Sequence, residues 1–154
     1  MYCQPFYDRF TIKEHLVFYT ESELAKLAGL TAKKLGIFFI HDDDLMEIAK
    51  RSKGTPRILN ARIQWYQNYK SCHNDDATVD DIFSLQGIDE NGLDVYDRMY
   101  IEVLKNNRAN PLGLKSISSL TGIAIETIEN SIEPYLIRKG FVRRTQKGRV
   151  IGDL

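Results

Sequence analysis

The pattern that most restricts this chain lies near its C-terminal end. Ile128, Ile132 and Leu136 recur at intervals of four, which puts one apolar stripe on a helix predicted from Ile125 to Arg138. Gly140 stands where a helix closes in left-handed backbone. Two short stretches follow at once, Phe141-Val142-Arg143-Arg144 and Arg149-Val150-Ile151, around Gln146-Lys147-Gly148. They read as a β-hairpin. Upstream, Val95, Met99, Val103 and Leu104 mark a helix over Leu93 to Lys105, Asn110 to Gly113 is a loop, and Leu114 to Leu120 is a short helix ended by Thr121-Gly122. Helix, short helix, turn, helix and hairpin is the order of a winged helix-turn-helix. Pro134 falls late in the third helix and is expected to kink or interrupt it.

Charge sharpens this reading. The whole chain balances 21 basic against 21 acidic residues, yet Arg138, Lys139, Arg143, Arg144, Lys147 and Arg149 fall in one stretch without an acid. Asp42 to Asp44 and the run Asp75, Asp76, Asp80, Asp81 are acidic. A segregated basic end is an electrostatic footprint for phosphate; the bland alternative is a solvated tail. The third helix is predicted to expose Glu126, Glu129, Asn130 and Glu133, poor chemistry for lying against a polyanion. Contact is therefore expected through Arg143, Arg144, Lys147 and Arg149 on the wing, to the backbone of DNA and without base readout. A winged helix used only for protein contact is the competing reading.

The N-terminal part reads differently. Met1 to Phe10 is aromatic and irregular, and His15 to Tyr19 suits a short strand. Thr20 with Glu23 forms a capping box for a helix to about Lys34, along which Leu24, Leu27 and Ala28 are apolar. Asp42 to Asp44 favour a second helix through Leu45, Ile48 and Ala49, interrupted by Gly54. Thr55-Pro56 opens a third helix to about Tyr69, and Thr78 opens a short fourth that ends at Gly87. The polar cluster Asp89-Glu90-Asn91-Gly92 marks a domain boundary. Arg57, just inside the third helix, could meet an anion at a helix N-terminus, or could be a plain surface residue; Arg9 is equally open.

Other chemistries find no support. Cys3 and Cys72 are far apart, and His15, His41 and His73 do not cluster, so neither a disulfide framework nor a metal site is expected. No apolar run approaches membrane-spanning length and no leader pattern opens the chain, so a cytoplasmic location is the default expectation. There is no Gly-x-x-x-x-Gly-Lys-Ser/Thr loop and no apolar strand ending in paired acids. Without a phosphate cradle or magnesium ligands, this chain alone is expected not to hydrolyse a nucleotide.

Asp8-Arg9-Phe10, Phe18-Tyr19, Ile48-Ala49-Lys50-Arg51-Ser52-Lys53-Gly54-Thr55-Pro56-Arg57-Ile58, Gly92-Leu93-Asp94-Val95-Tyr96-Asp97-Arg98, Pro111-Leu112-Gly113-Leu114, Glu133-Pro134-Tyr135-Leu136-Ile137 and Gly140-Phe141 through Arg149 resemble the RuvB family, in order, over almost the whole chain. The resemblance implies a ring-forming AAA+ motor for Holliday-junction branch migration in recombination and repair, driven by ATP with magnesium. It implies residues 1–19 as a remnant of the large ATPase domain, 20–88 as the helical lid and 89–154 as the winged-helix domain. The expected fold class is mainly α with a small β-hairpin. Arg9 matches an arginine finger offered to a neighbouring subunit, Tyr19 a residue lining the adenine nucleotide, and Arg57 the lid arginine that reaches the γ-phosphate. Arg144 and Arg149 match wing residues that touch DNA.

The chain also departs from the family's pattern. Tyr7 stands where the family carries a second arginine, Thr11 where glycine follows the finger, Ile125 at a basic DNA-contact position and Gln146 at the wing proline. The P-loop, the magnesium-binding acids and the hairpin that docks on the partner RuvA have no counterpart here. The implied partners are duplex or junction DNA and, given a complete ATPase domain, like subunits in a hexameric ring. The alternative is a free-standing winged-helix DNA-binding protein without ATPase activity.

Overall fold

The computed structural model describes Arg9, Thr11, Ile12 and Glu14 and residues 17–37, 40–73, 76–108 and 110–152. The cysteine Cys3, the first aromatic residues and Tyr7 lie outside them, as do His15 and Leu16 of the expected strand. The rest of that strand, 17–19, is irregular: Tyr19 is tied elsewhere, its N–H donating to the Gly54 carbonyl at 3.1 Å.

Four helices build the N-terminal unit: α1 (Glu21–Lys34), α2 (Asp42–Lys50), α3 (Pro56–Cys72) and α4 (Val79–Ser84). Local chemistry starts each one. Thr20 and Glu23 close the expected capping box on α1, Thr78 and Asp81 close another on α4, three aspartates occupy the first turn of α2, and Pro56 opens α3. Their apolar stripes meet in a core of Leu24, Ala28, Ala32, Ile48, Leu59, Ile63, Ile82 and Phe83. Ile88 packs against this core, whereas Leu93 belongs to a second one.

The second unit holds α5 (Val95–Asn106), α6 (Leu114–Thr121), α7 (Ile125–Thr127), α8 (Glu133–Arg138), β1 (Val142–Thr145) and β2 (Gly148–Ile151). Tyr100, Ile101, Leu104, Ile117, Ile128, Ile132, Leu136 and Val142 form its core. The strands are antiparallel, with Val142 opposite Ile151, Arg144 opposite Arg149 and Thr145 opposite Gly148. The hairpin thus turns at Gln146-Lys147, starts after Phe141 and includes Thr145 and Gly148, which corrects the expected strand limits by one residue at each site. Leu112 adds a bridge to Arg149, with reciprocal N–H to carbonyl bonds of 2.9 and 2.8 Å. Gly148 makes this approach possible: a Cβ there would lie 2.5 Å from the Leu112 carbonyl oxygen.

Pro134 shapes the third helix by a route other than a simple kink. Between α7 and α8 the chain widens into a π turn, Ile128–Ile132, with the Glu133 N–H donating to the Ile128 carbonyl five residues back. Pro134 then sits in the first turn of α8, where its missing N–H costs nothing. The wider turn has a second effect. In an unbroken α-helix Glu133 would point away from Ile128; the five-residue loop stacks it over Ile128 instead, and Glu133 is fully buried. Glu126, Glu129 and Asn130 are exposed as expected, but Glu133 is not.

The two units meet at a polar junction. Lys53, in left-handed backbone at φ 53°, sends its Nζ to Asp94 at 3.0 Å and to Asp97, the two residues of the capping box on α5. Arg138 donates to the Lys53 carbonyl at 2.8 Å and stacks 3.9 Å over the Phe18 ring. Tyr135 and Arg62 donate to the carbonyls of Asn91 and Gly92. Gly92 itself passes so close to Arg51 that a Cβ would meet its carbonyl oxygen at 2.5 Å. Among the described residues no helix is long and apolar enough to cross a membrane.

Candidate nucleic-acid interface

A two-stranded ribbon alternates its side chains between two faces. Buried Val142 and Ile151, which packs on the core, fix which face turns inward. Arg144 and Arg149, two residues further along each strand, share that face and stand directly opposite each other. Two like charges across a ladder repel. Glu133 lies between them and resolves the conflict. Its carboxylate accepts from Arg149 Nε at 2.8 Å and Nη2 at 3.3 Å, from Arg144 Nε at 2.9 Å and Nη2, and from the Tyr100 hydroxyl at 2.7 Å. Burial alone would raise the Glu133 carboxyl, but the hydrogen bonds from Arg149, Tyr100 and Arg144 hold it below its ordinary value. Burial and the bond to Glu133 together push the Tyr100 hydroxyl far up.

The two arginines differ in what remains available. The Arg149 side chain is 16% exposed and lies 3.9 Å from Glu129 as well, whereas that of Arg144 is 52% exposed. Arg143 and Lys147 are exposed, the first on the outer face and the second at the hairpin turn, beside exposed Gln146. The ribbon therefore exists and carries a cationic edge, but Arg149 is largely committed to an internal ion pair. The position of Ile125 is half-buried at the start of α7.

The candidate nucleotide-facing residues lie on the other unit. Tyr19 is held against Gly54, and Arg57 follows three residues later in the first turn of α3, exposed and with no hydrogen bond or ion pair among the described residues. A cavity of about 520 Å³ opens here, lined by Val17, Phe18, Tyr19, Glu23, Gly54, Thr55 and Pro56. Arg9 is exposed in a turn, and no described contact joins it to Tyr19 or Arg57. No group of three or more potential metal ligands occurs among the described residues.

Sequence reasoning missed Glu133 as part of the site. The signal was present in Pro134: a proline inside a helical pattern forces a local change of pitch, which rotates its neighbours to another face. The parity of the hairpin also gave notice, since a two-residue turn places Arg144 and Arg149 on the face of Val142 and Ile151.

Residues 19–94 match the RuvB AAA lid domain and residues 90–154 the RuvB C-terminal winged helix domain. The Holliday junction branch migration complex subunit RuvB of Gluconobacter oxydans is 38% identical over 154 residues, covering 97% of this chain and 44% of that protein. Its counterpart from Fusobacterium nucleatum is 36% identical over 153 residues, covering 96% and 46%. The solved structure of the Thermotoga maritima RuvB Holliday junction branch migration motor superposes with a TM-score of 0.89 at 30% identity, over 98% of this chain and 52% of that one. The chain spans about half the length of the relatives it matches. A helical lid joined to a winged helix, matched in sequence and in three dimensions, makes this chain a member of the RuvB family over that family's lid and C-terminal winged-helix domains.

Proposed function

We propose that this chain is the lid and DNA-binding portion of an ATP-dependent branch-migration motor, divided into a lid at 20–88 and a winged helix at 89–154, after a large-domain remnant at 1–19. It grips the backbone of duplex or junction DNA without regard to sequence. The observation that carries this reading is the exposed cationic edge of a two-stranded ribbon, formed by Arg143, Arg144 and Lys147. Backbone contact suits it, because the exposed face of the third helix offers Glu126 and Glu129 and would repel a groove lined by phosphates.

The residues facing a nucleotide fit only one side of such a site. The cavity beside Tyr19 has the aromatic and proline lining an adenine ring needs, and unpaired Arg57 could meet the terminal phosphate. That phosphate supplies the energy-yielding bond; no cradle for it and no magnesium ligands occur in this chain. Arg9 would serve a neighbouring subunit of a ring. Turnover thus requires a complementary ATPase segment, which is also where docking on RuvA would reside.

Two measurements test this. Binding of a labelled duplex should weaken linearly in log affinity with log salt and should not depend on duplex sequence. Protection of one particular sequence in footprinting would instead favour a free-standing regulator. Mixing the chain with a matching RuvB ATPase segment should restore DNA-stimulated ATP turnover, and failure of the two to associate would count against the motor.

A further inference from the structure

The family likeness casts Arg144 and Arg149 alike as DNA contacts, but the structure gives them unequal means. An arginine has five N–H donors in a rigid fork. Arg144 commits its Nε–H and one Nη2–H to Glu133. The Nη1 edge and the second Nη2–H remain, on a side chain that is half in solvent. Arg149 makes the same kind of bidentate contact from the opposite strand, and its backbone is pinned on both sides by Leu112. Glu133 is anchored from below by Tyr100, so neither the carboxylate nor Arg149 has freedom to follow a ligand. One carboxylate against two guanidiniums also leaves the cluster net positive.

We propose that Glu133 and Arg149 form a buried seat that aims the outer edge of Arg144 at a DNA phosphate. Arg144 touches the ligand; Glu133 and Arg149 are positioning residues. A long cation held at one edge spends little conformational entropy when it meets its anion, which is the gain such a seat provides. This inference rests on the wing being the DNA-contacting surface.

The test uses the whole chain and a fluorescently labelled duplex of mixed sequence, with anisotropy read over a series of salt concentrations. Arg144→Ala should lower affinity about tenfold and reduce the slope of log affinity against log salt by about 0.9. Arg144→Lys keeps the charge but cannot hold Glu133 with one edge while offering another, so it should lose most of the same affinity with an unchanged melting temperature. Glu133→Gln should fall to the level of Arg144→Ala, even though it removes a negative charge near the DNA. Adding Arg144→Ala to it should then cost nothing more.

Wild-type binding by Arg144→Lys, or tighter binding by Glu133→Gln, overturns the seat; the second result would make Glu133 a competitor of phosphate. Should Glu133→Gln fail to fold by circular dichroism, Arg144→Lys still decides, because its side chain is half exposed. Loss of the wing reading looks different: Arg143→Ala, Arg144→Ala and Lys147→Ala would then all bind as the wild type does.

Discussion

The junction between the two units and the base of the wing are built from the same parts and serve opposite ends. Each has a fully buried carboxylate, Asp97 at the junction and Glu133 under the wing, met by long basic side chains. At the junction Lys53 is enclosed, its side chain 8% exposed, and the compact ammonium is consumed by Asp94 and Asp97. Under the wing Arg144 uses one edge of a planar fork and keeps another in solvent. A point charge in a closed site pins two bodies together, whereas a fork in a half-open site leaves donors for a ligand. Burial of the carboxylate alone does not tell a strut from a binding device; the donors left over do.

The largest way to break this contrast is Lys53→Met. It leaves Asp97 buried without its cation and should cost about 3 kcal/mol in urea denaturation. A loss under about 1 kcal/mol would show that the junction is no tighter than a surface pair. Next comes acid. Because Glu133 is held below its ordinary 4.5, its contribution to stability is complete above about pH 5 and is lost as pH falls from 4.5 through its depressed folded value. Thermal melts across that window should show the loss in the wild type and a flatter course in Glu133→Gln. Matching curves for the two proteins would mean that the carboxylate is not clamped. Arg144→Ala, by contrast with Lys53→Met, should shift stability by less than about 1 kcal/mol, since its partner keeps Arg149 and Tyr100. The smallest effect belongs to Arg57→Ala. It should leave both folding and DNA affinity unchanged while impairing ATP turnover in the reconstituted motor; unfolding of this variant would make Arg57 structural.

Much of the architecture was legible in the chain itself. Capping residues at Thr20, Thr78 and Asp94 started helices where they stand, and apolar spacing of four drew the third helix of the winged unit. These signals are local, so a one-dimensional reading captures them. The expected strand before Tyr19 failed over 17–19 because aromatic and β-branched residues mark a strand only when a neighbour offers a ladder. There the Tyr19 backbone bonds instead to the turn at Gly54. Glu133 escaped for a different reason: its burial depends on the π turn ahead of Pro134, and helical periodicity assumes a constant pitch.

By itself the sequence determined the helices, their caps, the basic hairpin and the family, because each follows from residue type at short range. Only tertiary structure decided which cations are free. Whether an arginine faces phosphate or a carboxylate depends on strand register, helix pitch and the packing of Tyr100 beneath Glu133. Those are distances between residues up to 33 positions apart, and such distances are fixed when the core closes.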